Sequence, residues 1–95
     1  MKIEFDPDKR ALTLVERGLD FLDAPVVIEN SITTFDDTRF EYPEPREVTF
    51  GVLGVRLVAV VTTPIEGGIW VISMWKANDR EQAKYRKRID RKSVV

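Results

Sequence analysis

The sequence predicts one α+β domain with N-terminal helices, a twisted antiparallel sheet and a C-terminal helix. Three apolar, β-branched runs follow one another between residues 46 and 77, and glycine-bearing turns separate them. Helix-start patterns precede these runs, and a charged helical pattern follows them. A chain of 95 residues is long enough for one core but not for two. We therefore expect a single domain over residues 1–95, with a three-stranded meander plus one or two short strands.

The N-terminal segment predicts a short strand followed by a helix. Residues 2–5 alternate between polar and apolar side chains. Asp6-Pro7 is typical of a helix start, and Gly18 is suited to end the helix in a left-handed conformation. The helix is expected to run to about Arg17. The apolar residues that predict its buried face are Ala11, Leu12, Leu14 and Val15.

A second, shorter helix is expected between Asp20 and Ile28. Pro25 either kinks this helix or delays its start to about Ala24, because a proline in a helix interior removes one hydrogen bond. The polar segment from residue 29 to 47 then contains a strand-like SITTF run and a long loop with two prolines. Loops of this length in small domains are usually functional, so the loop is a candidate part of a site.

The three apolar runs predict an antiparallel meander. EVTF ends at Gly51, VRLVAVVTT ends at the PIEGG turn, and IWVISMW ends at Lys76. Asn78 and Glu81 then form a capping-box pattern that begins the C-terminal helix. The cations expected in its later turns are Lys84, Arg86, Lys87, Arg88, Arg91 and Lys92.

The net charge of −1 combines a basic C-terminal region with an acidic remainder. Residues 76–92 contain eight basic and three acidic side chains. Such a molecule can offer one surface to an anion and another to a basic partner, although an ordinary solvated helix would show the same pattern.

Cysteine and histidine are both absent from the sequence. A disulfide framework, a thiolate metal site and imidazole acid–base catalysis are therefore excluded, and we expect no metal and no cofactor. The apolar runs are shorter than about ten residues, which is too short to cross a membrane, and no signal-peptide pattern follows Met1. The expected location is cytoplasmic.

Five stretches, in order over nearly the whole chain, read FDPDK, RGLDF, DTRFEYPEPRE, GVRLVAVVTTP and ISMWKANDREQAKY. Together they resemble the BrnT toxins, the toxin half of the type II BrnT–BrnA toxin–antitoxin systems of bacteria and archaea. The resemblance implies a fold similar to the RelE-like ribonuclease toxins and an RNA cleavage that halts translation. It also implies a BrnA-like ribbon-helix-helix antitoxin as partner. The toxin–antitoxin complex would bind DNA only through this antitoxin. Whether the toxin forms a homodimer or a heterotetramer with the antitoxin stays open.

RNA cleavage without a metal uses the neighbouring 2′-hydroxyl as nucleophile. The protein must help remove its proton, stabilise negative charge on phosphorus and protonate the leaving oxygen. The family pattern places a lysine at Lys9, a basic residue at Lys76 and an Asp-x-Arg-x-x-Tyr-x-Glu-x-Arg run at residues 37–46. The catalytic candidates are Lys9, Glu44, Arg46 and Lys76, and the substrate-binding candidates are Arg17, Arg39, Tyr42 and Tyr85.

Each candidate has more than one interpretation. Glu44 could be the base or could orient Arg46, and the two could also form a plain ion pair. Tyr42 and Tyr85 could donate a proton or stack on a base, and Tyr85 could also be an aromatic at the edge of the core. Lys9 could be a solvated helix residue.

Three positions depart from the pattern of the family that the chain resembles: Ile65, Trp70 and Trp75 stand where arginines are usual. A tryptophan can stack on an unpaired base but cannot neutralise a phosphate. We therefore expect weak or altered nuclease activity, and a Trp75→Arg variant that cuts RNA faster. The two tryptophans could also simply pack under the terminal helix. In a regular strand they lie on opposite faces, so they share a cluster only if the strand bulges or ends early.

Two classes of function remain open. One is a ribonuclease toxin, and the other is a non-catalytic, toxin-like subunit that holds an antitoxin or another protein partner. Growth arrest on expression would distinguish them. A third possibility is nucleic-acid binding by the basic helix without catalysis, which strong salt dependence would reveal.

Overall fold

The computed structural model describes the backbone of residues 1–93 and the side chains of residues 1–90. The predicted α+β class is confirmed, whereas the side chains of Arg91 and Lys92 and the end of the expected domain at residue 95 lie outside the described residues. The elements in chain order are β1 (Lys2–Phe5), α1 (Pro7–Arg17), a 3₁₀ turn (Phe21–Asp23), α2 (Ala24–Glu29), β2 (Ser31–Asp36), β3 (Glu47–Leu53), β4 (Arg56–Ile65), β5 (Gly68–Lys76), α3 (Asp79–Lys84) and α4 (Arg86–Ser93).

The five strands form one sheet in the order β1-β5-β4-β3-β2. Strands β2 to β5 pair antiparallel with their neighbours, so the predicted meander is confirmed. Strand β1 instead runs parallel to β5, which makes the sheet mixed rather than wholly antiparallel. The alternation of residues 2–5 predicts a strand, but it carries no information about the direction of the partner.

Strand β3 does not end at Gly51, as the sequence suggested, but continues to Leu53. The turn is made at Gly54, whose φ of 66° is in the left-handed region. Gly51 serves a different purpose, because a Cβ there would lie 1.9 Å from the carbonyl oxygen of Val27. The missing side chain lets α2 lie directly against β3.

The predicted limits of the first helices are confirmed. The side chain of Asp6 accepts a hydrogen bond from the backbone N–H of Asp8 at 2.9 Å, and Gly18 ends α1 with a φ of 67°. Of the two possibilities for the second helix, the later start is the one observed, since α2 begins at Ala24 with Pro25 in its first turn. A 3₁₀ turn fills the residues between Asp20 and Ala24.

The predicted buried face of α1 is wrong. None of the residues of α1 is buried, and Leu12 and Val15 are 56% and 85% exposed. Two arginines hold the helix to the body instead: Arg10 forms two hydrogen bonds with the Asp20 carboxylate at 2.8 and 2.9 Å, and Arg17 donates to the carbonyl of Met74 at 2.7 Å. Polar contacts therefore decide which side of α1 faces inward.

The expected single C-terminal helix is two helical segments, α3 and α4, that meet at Tyr85. The predicted capping box is present, with both hydrogen bonds between Asn78 and Glu81 at 2.8 Å. The Tyr85 ring packs against Phe50 of β3 with ring centroids 5.5 Å apart. The helix is thus interrupted at the residue that makes this tertiary contact.

Each face of the sheet has its own core. On the first face, buried residues of α2 and the 3₁₀ turn meet β4 and β5; this cluster is Leu19, Phe21, Ala24, Val27, Val58, Val60, Val71 and Met74. The second face is covered in part by α4, and its buried cluster is Val48, Phe50, Leu57, Ala59, Val61, Ala77 and Ile89. No described helix is long and apolar enough to span a membrane.

Candidate active site

A bulge in β5 brings both tryptophans to the second face. Val61 lies opposite Ser73 and Thr62 lies opposite Val71, so Ile72 is the extra residue. Trp70 is consequently opposite Thr63, and Trp75 is opposite Ala59. Positions 59 and 63 share a face in a regular strand, and position 65 shares it too. All three residues that stand where the resemblance implies arginine therefore belong to one face.

The loop between β2 and β3 is anchored by Asp37. This residue is 8% exposed and accepts two hydrogen bonds from the Arg39 guanidinium, at 2.9 and 2.8 Å. The backbone N–H of Asp37 also donates to the carbonyl of Arg46 at 2.8 Å, which closes the loop. The guanidinium carbon of Arg39 lies 5.5 Å from the centre of the Trp75 ring, within cation–π range.

Tyr42, Glu44 and Arg46 form one group at the entrance to β3. Arg46 donates a hydrogen bond from Nε to one oxygen of the Glu44 carboxylate at 2.8 Å, and its Nη2 lies 2.7 Å from the same oxygen in an ion pair. Its guanidinium carbon lies 4.0 Å from the centre of the Tyr42 ring. The side chains of Tyr42, Glu44 and Arg46 are all half-buried. This geometry fits Glu44 as the residue that orients Arg46.

Beside these residues, the second face contains a cavity of about 130 Å³, called here the aromatic cavity. Phe50 connects its rings, with ring-centroid distances of 6.1 Å to Phe35 and 6.3 Å to Trp75. The lining residues are Phe35, Arg39, Val48, Phe50, Trp75 and Glu81. The predicted binding residue Tyr85 touches this group through Phe50.

The other predicted residues lie elsewhere. Lys9 and Arg17 line a separate cavity of about 260 Å³ between α1 and β5, together with Ile72 and Ser73. Ile72 also packs against the second core, so this cavity adjoins the second face. Lys76 is exposed at the end of β5 and pairs with Val58, whose side chain belongs to the first core. The structure thus brings Glu44, Arg46 and Tyr42 together, and places Lys76 outside both groups.

Asp37 is the important residue absent from the predicted site. Hydrogen bonds from the Arg39 side chain, together with one from its backbone, lower the pKa of the Asp37 carboxyl from 3.8 to about 2 in spite of its burial. The Asp-x-Arg spacing at the end of a strand was visible in the sequence. Only the fold shows that this pair closes the loop over Trp75.

An Asp37→Asn variant is expected to lose about 2 kcal/mol of stability at neutral pH, because the lowered pKa measures the preference of the folded state for the ionised carboxyl. This stabilisation is fully present above about pH 4 and disappears as the pH falls towards 2. Urea unfolding of both proteins from pH 7 to pH 2 measures it, and the two stabilities should converge in acid. Asp36→Asn, at the exposed neighbouring position, should change little. A constant difference across this range would contradict the account.

The comparison with known protein families is decisive. The family model described as "Ribonuclease toxin, BrnT, of type II toxin-antitoxin system" matches residues 5–81. The chain belongs to the BrnT family. The match includes Lys9, Glu44, Arg46 and Lys76, whereas Tyr85 and α4 lie beyond it. A comparison with curated protein sequences gave no significant match.

Membership of the BrnT family means membership of a family of ribonuclease toxins, and a type II toxin–antitoxin system implies an antitoxin as partner. Among the described residues, no group of three or more acidic side chains is placed to hold a metal ion. The candidate site consists of the loop from Asp37 to Arg46 and of the second face of the sheet beside it, which carries the two tryptophans.

Proposed function

We propose that this chain is a metal-independent endoribonuclease toxin that stops translation by cutting RNA, with a RelE-like fold and a cytoplasmic site of action. The observation that carries the proposal is the Glu44–Arg46 pair, held on the Tyr42 ring at the entrance to β3 of a BrnT-family chain. A guanidinium held in a fixed orientation is suited to a phosphate group, because its planar fork matches two phosphate oxygens.

The residues take the following roles in the proposed reaction. Arg46 binds the scissile phosphate and stabilises the charge that develops on its oxygens, and Glu44 orients Arg46 and accepts the proton of the 2′-hydroxyl. The 2′-oxygen attacks phosphorus, the bond to the 5′-oxygen breaks, and a cyclic 2′,3′-phosphate forms. Lys9 or Tyr85 supplies the proton for the leaving 5′-oxygen. Arg17 and Arg39 hold the flanking chain. No part in this step is proposed for Lys76, because it lies on the side of the first core.

The proposed partner is a BrnA-like ribbon-helix-helix antitoxin. DNA is reached only through this antitoxin. Expression of the chain in bacteria tests both parts of the proposal: growth should stop, and co-expression of a small ribbon-helix-helix protein encoded beside the toxin gene should restore it. Growth arrest that this neighbour does not relieve would contradict the proposed partner, and unaffected growth would contradict the toxin.

The cleavage is proposed to be slow, because Ile65, Trp70 and Trp75 give the second face an apolar rather than a cationic floor. Trp70→Arg should raise the rate of RNA cleavage by about tenfold, since one added cation stabilises the negative charge of the transition state. Trp75→Arg is a less direct test, because Trp75 packs against the second core. Cleavage of a labelled RNA by both purified proteins gives the comparison. Trp70→Gln, which adds no charge, serves as the control and should not raise the rate of RNA cleavage.

One observation favours the alternative of a non-catalytic subunit that binds an antitoxin or another protein. The two guanidinium groups of the loop are already paired with carboxylates, Arg39 with Asp37 and Arg46 with Glu44. If these ion pairs do not open, no phosphate can be held there. RNA that stays intact together with tight binding of the antitoxin would support this alternative.

A further inference from the structure

The aromatic cavity has the composition of a site for a flat, unsaturated ring. Its walls are the rings of Phe35, Phe50 and Trp75, and Phe35 is 45% exposed. Polar groups stand only at its rim, where Arg39 offers hydrogen-bond donors and Glu81 offers a carboxylate. The volume of about 130 Å³ is comparable with that of one nucleobase. Aromatic walls with a polar rim are typical of sites that bind unpaired bases.

The charges around the cavity point to the same kind of ligand. Arg39 is paired with Asp37 and Arg46 with Glu44, so a carboxylate offsets part of the positive charge of each guanidinium. The loop from residue 36 to 46 contains four acidic and two basic side chains. A surface of this kind attracts the phosphate backbone only weakly. Stacking on an aromatic ring requires no net positive charge.

We propose that the aromatic cavity binds one unpaired nucleobase of the RNA substrate, stacked on Phe35 and Trp75 with its edge against Arg39 and Glu81. This inference rests on the proposed ribonuclease function and adds a substrate class: single-stranded RNA recognised through a base. The Arg39 side chain is 57% exposed whereas that of Asp37 is 1% exposed, so Arg39 can shift at the rim while its anchor stays in place. Arg39 belongs to the same loop as Glu44 and Arg46, so this loop also positions the base.

Two properties follow from this mode of binding. A duplex is excluded, because a paired base cannot stack on the aromatic rings of the cavity without leaving its partner. Binding also depends only shallowly on salt, since few counterions are released when a base stacks. Both properties differ from those of a basic surface that follows the phosphate backbone.

The test uses a fluorescently labelled 2′-O-methyl RNA of about eight nucleotides, a length in the usual range for single-strand sites. The methyl group blocks the 2′-hydroxyl, so binding is measured without cleavage. Anisotropy titrations should show that Trp75→Leu weakens binding by about tenfold and that Trp75→Phe binds nearly as well as the original chain. Leu22→Ala is the control, because Leu22 is an exposed apolar residue of the 3₁₀ turn and lies outside the candidate site. It should change the dissociation constant by less than about twofold.

Phe35→Ala is a second test at a more exposed position, where folding is less at risk, and circular dichroism checks each variant. The inference is overturned if Trp75→Leu and Phe35→Ala bind like the original chain, or if the duplex form of the same RNA binds equally well. A separate cleavage assay with unmodified RNA distinguishes the two proposals. If the chain cleaves RNA and the cavity variants have no effect, the proposed ribonuclease function stands and the base-binding cavity is wrong. If the cavity variants weaken binding but no RNA is cleaved, the cavity stands and the proposed ribonuclease function is wrong.

Discussion

Replacing Arg46 by Gln should lower the rate of RNA cleavage by about 100- to 1,000-fold, the range found when one stabilising donor is removed from a catalytic site. The change removes the positive charge that Glu44 and Tyr42 hold in place, whereas the backbone of the loop keeps its hydrogen bond between Asp37 and Arg46. Single-turnover cleavage of a labelled RNA measures the effect, because it reports the chemical step. Arg46→Lys should recover only part of the rate, since an ammonium cannot donate in the same planar arrangement.

Arg56→Gln is the matched control for this prediction. Arg56 is an exposed arginine at the start of β4, and its loss changes the net charge by the same amount. The rate should stay within about twofold of the original, because an exposed charge contributes little. Equal losses from both variants would mean that Arg46 acts only through the overall charge, and the proposed site would be wrong.

Replacing Gly51 by Ala should lower the free energy of unfolding by about 3 kcal/mol, at the upper end of the usual cost of overpacking. The added Cβ would lie 1.9 Å from the carbonyl oxygen and 2.8 Å from the carbonyl carbon of Val27. Both are backbone atoms, so relief requires a movement of α2 away from β3. Urea denaturation of the purified proteins measures the change.

Gly54→Ala distinguishes crowding from backbone conformation. A Cβ at Gly54 meets no atom within 4 Å, but the φ of 66° disfavours any side chain. We expect a loss of about 1 kcal/mol there. If Gly51→Ala lowered the free energy of unfolding by no more than Gly54→Ala does, the close approach of α2 to β3 would not contribute to stability as the structure indicates.

Local patterns predicted the elements of this fold well. Asp6 and Gly18 fixed the ends of α1, and Asn78 with Glu81 fixed the start of α3, because each end depends on hydrogen bonds between residues a few positions apart. Glu44 and Arg46 are equally local, so their pairing could be read from the sequence. The same reasoning failed for the face of α1, because Arg10 and Arg17 find their partners outside the helix, at Asp20 and at Met74.

The bulge at Ile72 shows why the rest of the site was not predictable. Strict alternation along β5 would have separated Trp70 from Trp75, and nothing in the sequence of the strand marks the extra residue. The aromatic cavity depends on this register and on the pairing of β2 with β3, which brings Phe35 close to Phe50. Contacts of this kind join distant parts of the chain, and only the folded structure shows them.

The most direct test of the central claim is the chemistry of the cleaved ends. Purified protein is incubated with a single-stranded RNA in excess chelator, and the products are analysed by mass spectrometry. The proposed attack by the 2′-hydroxyl predicts fragments with a 2′,3′-cyclic phosphate on one side of the cut and a 5′-hydroxyl on the other, formed equally well with the chelator present. Fragments that end in a 3′-hydroxyl and a 5′-phosphate, or RNA that stays intact, would contradict it.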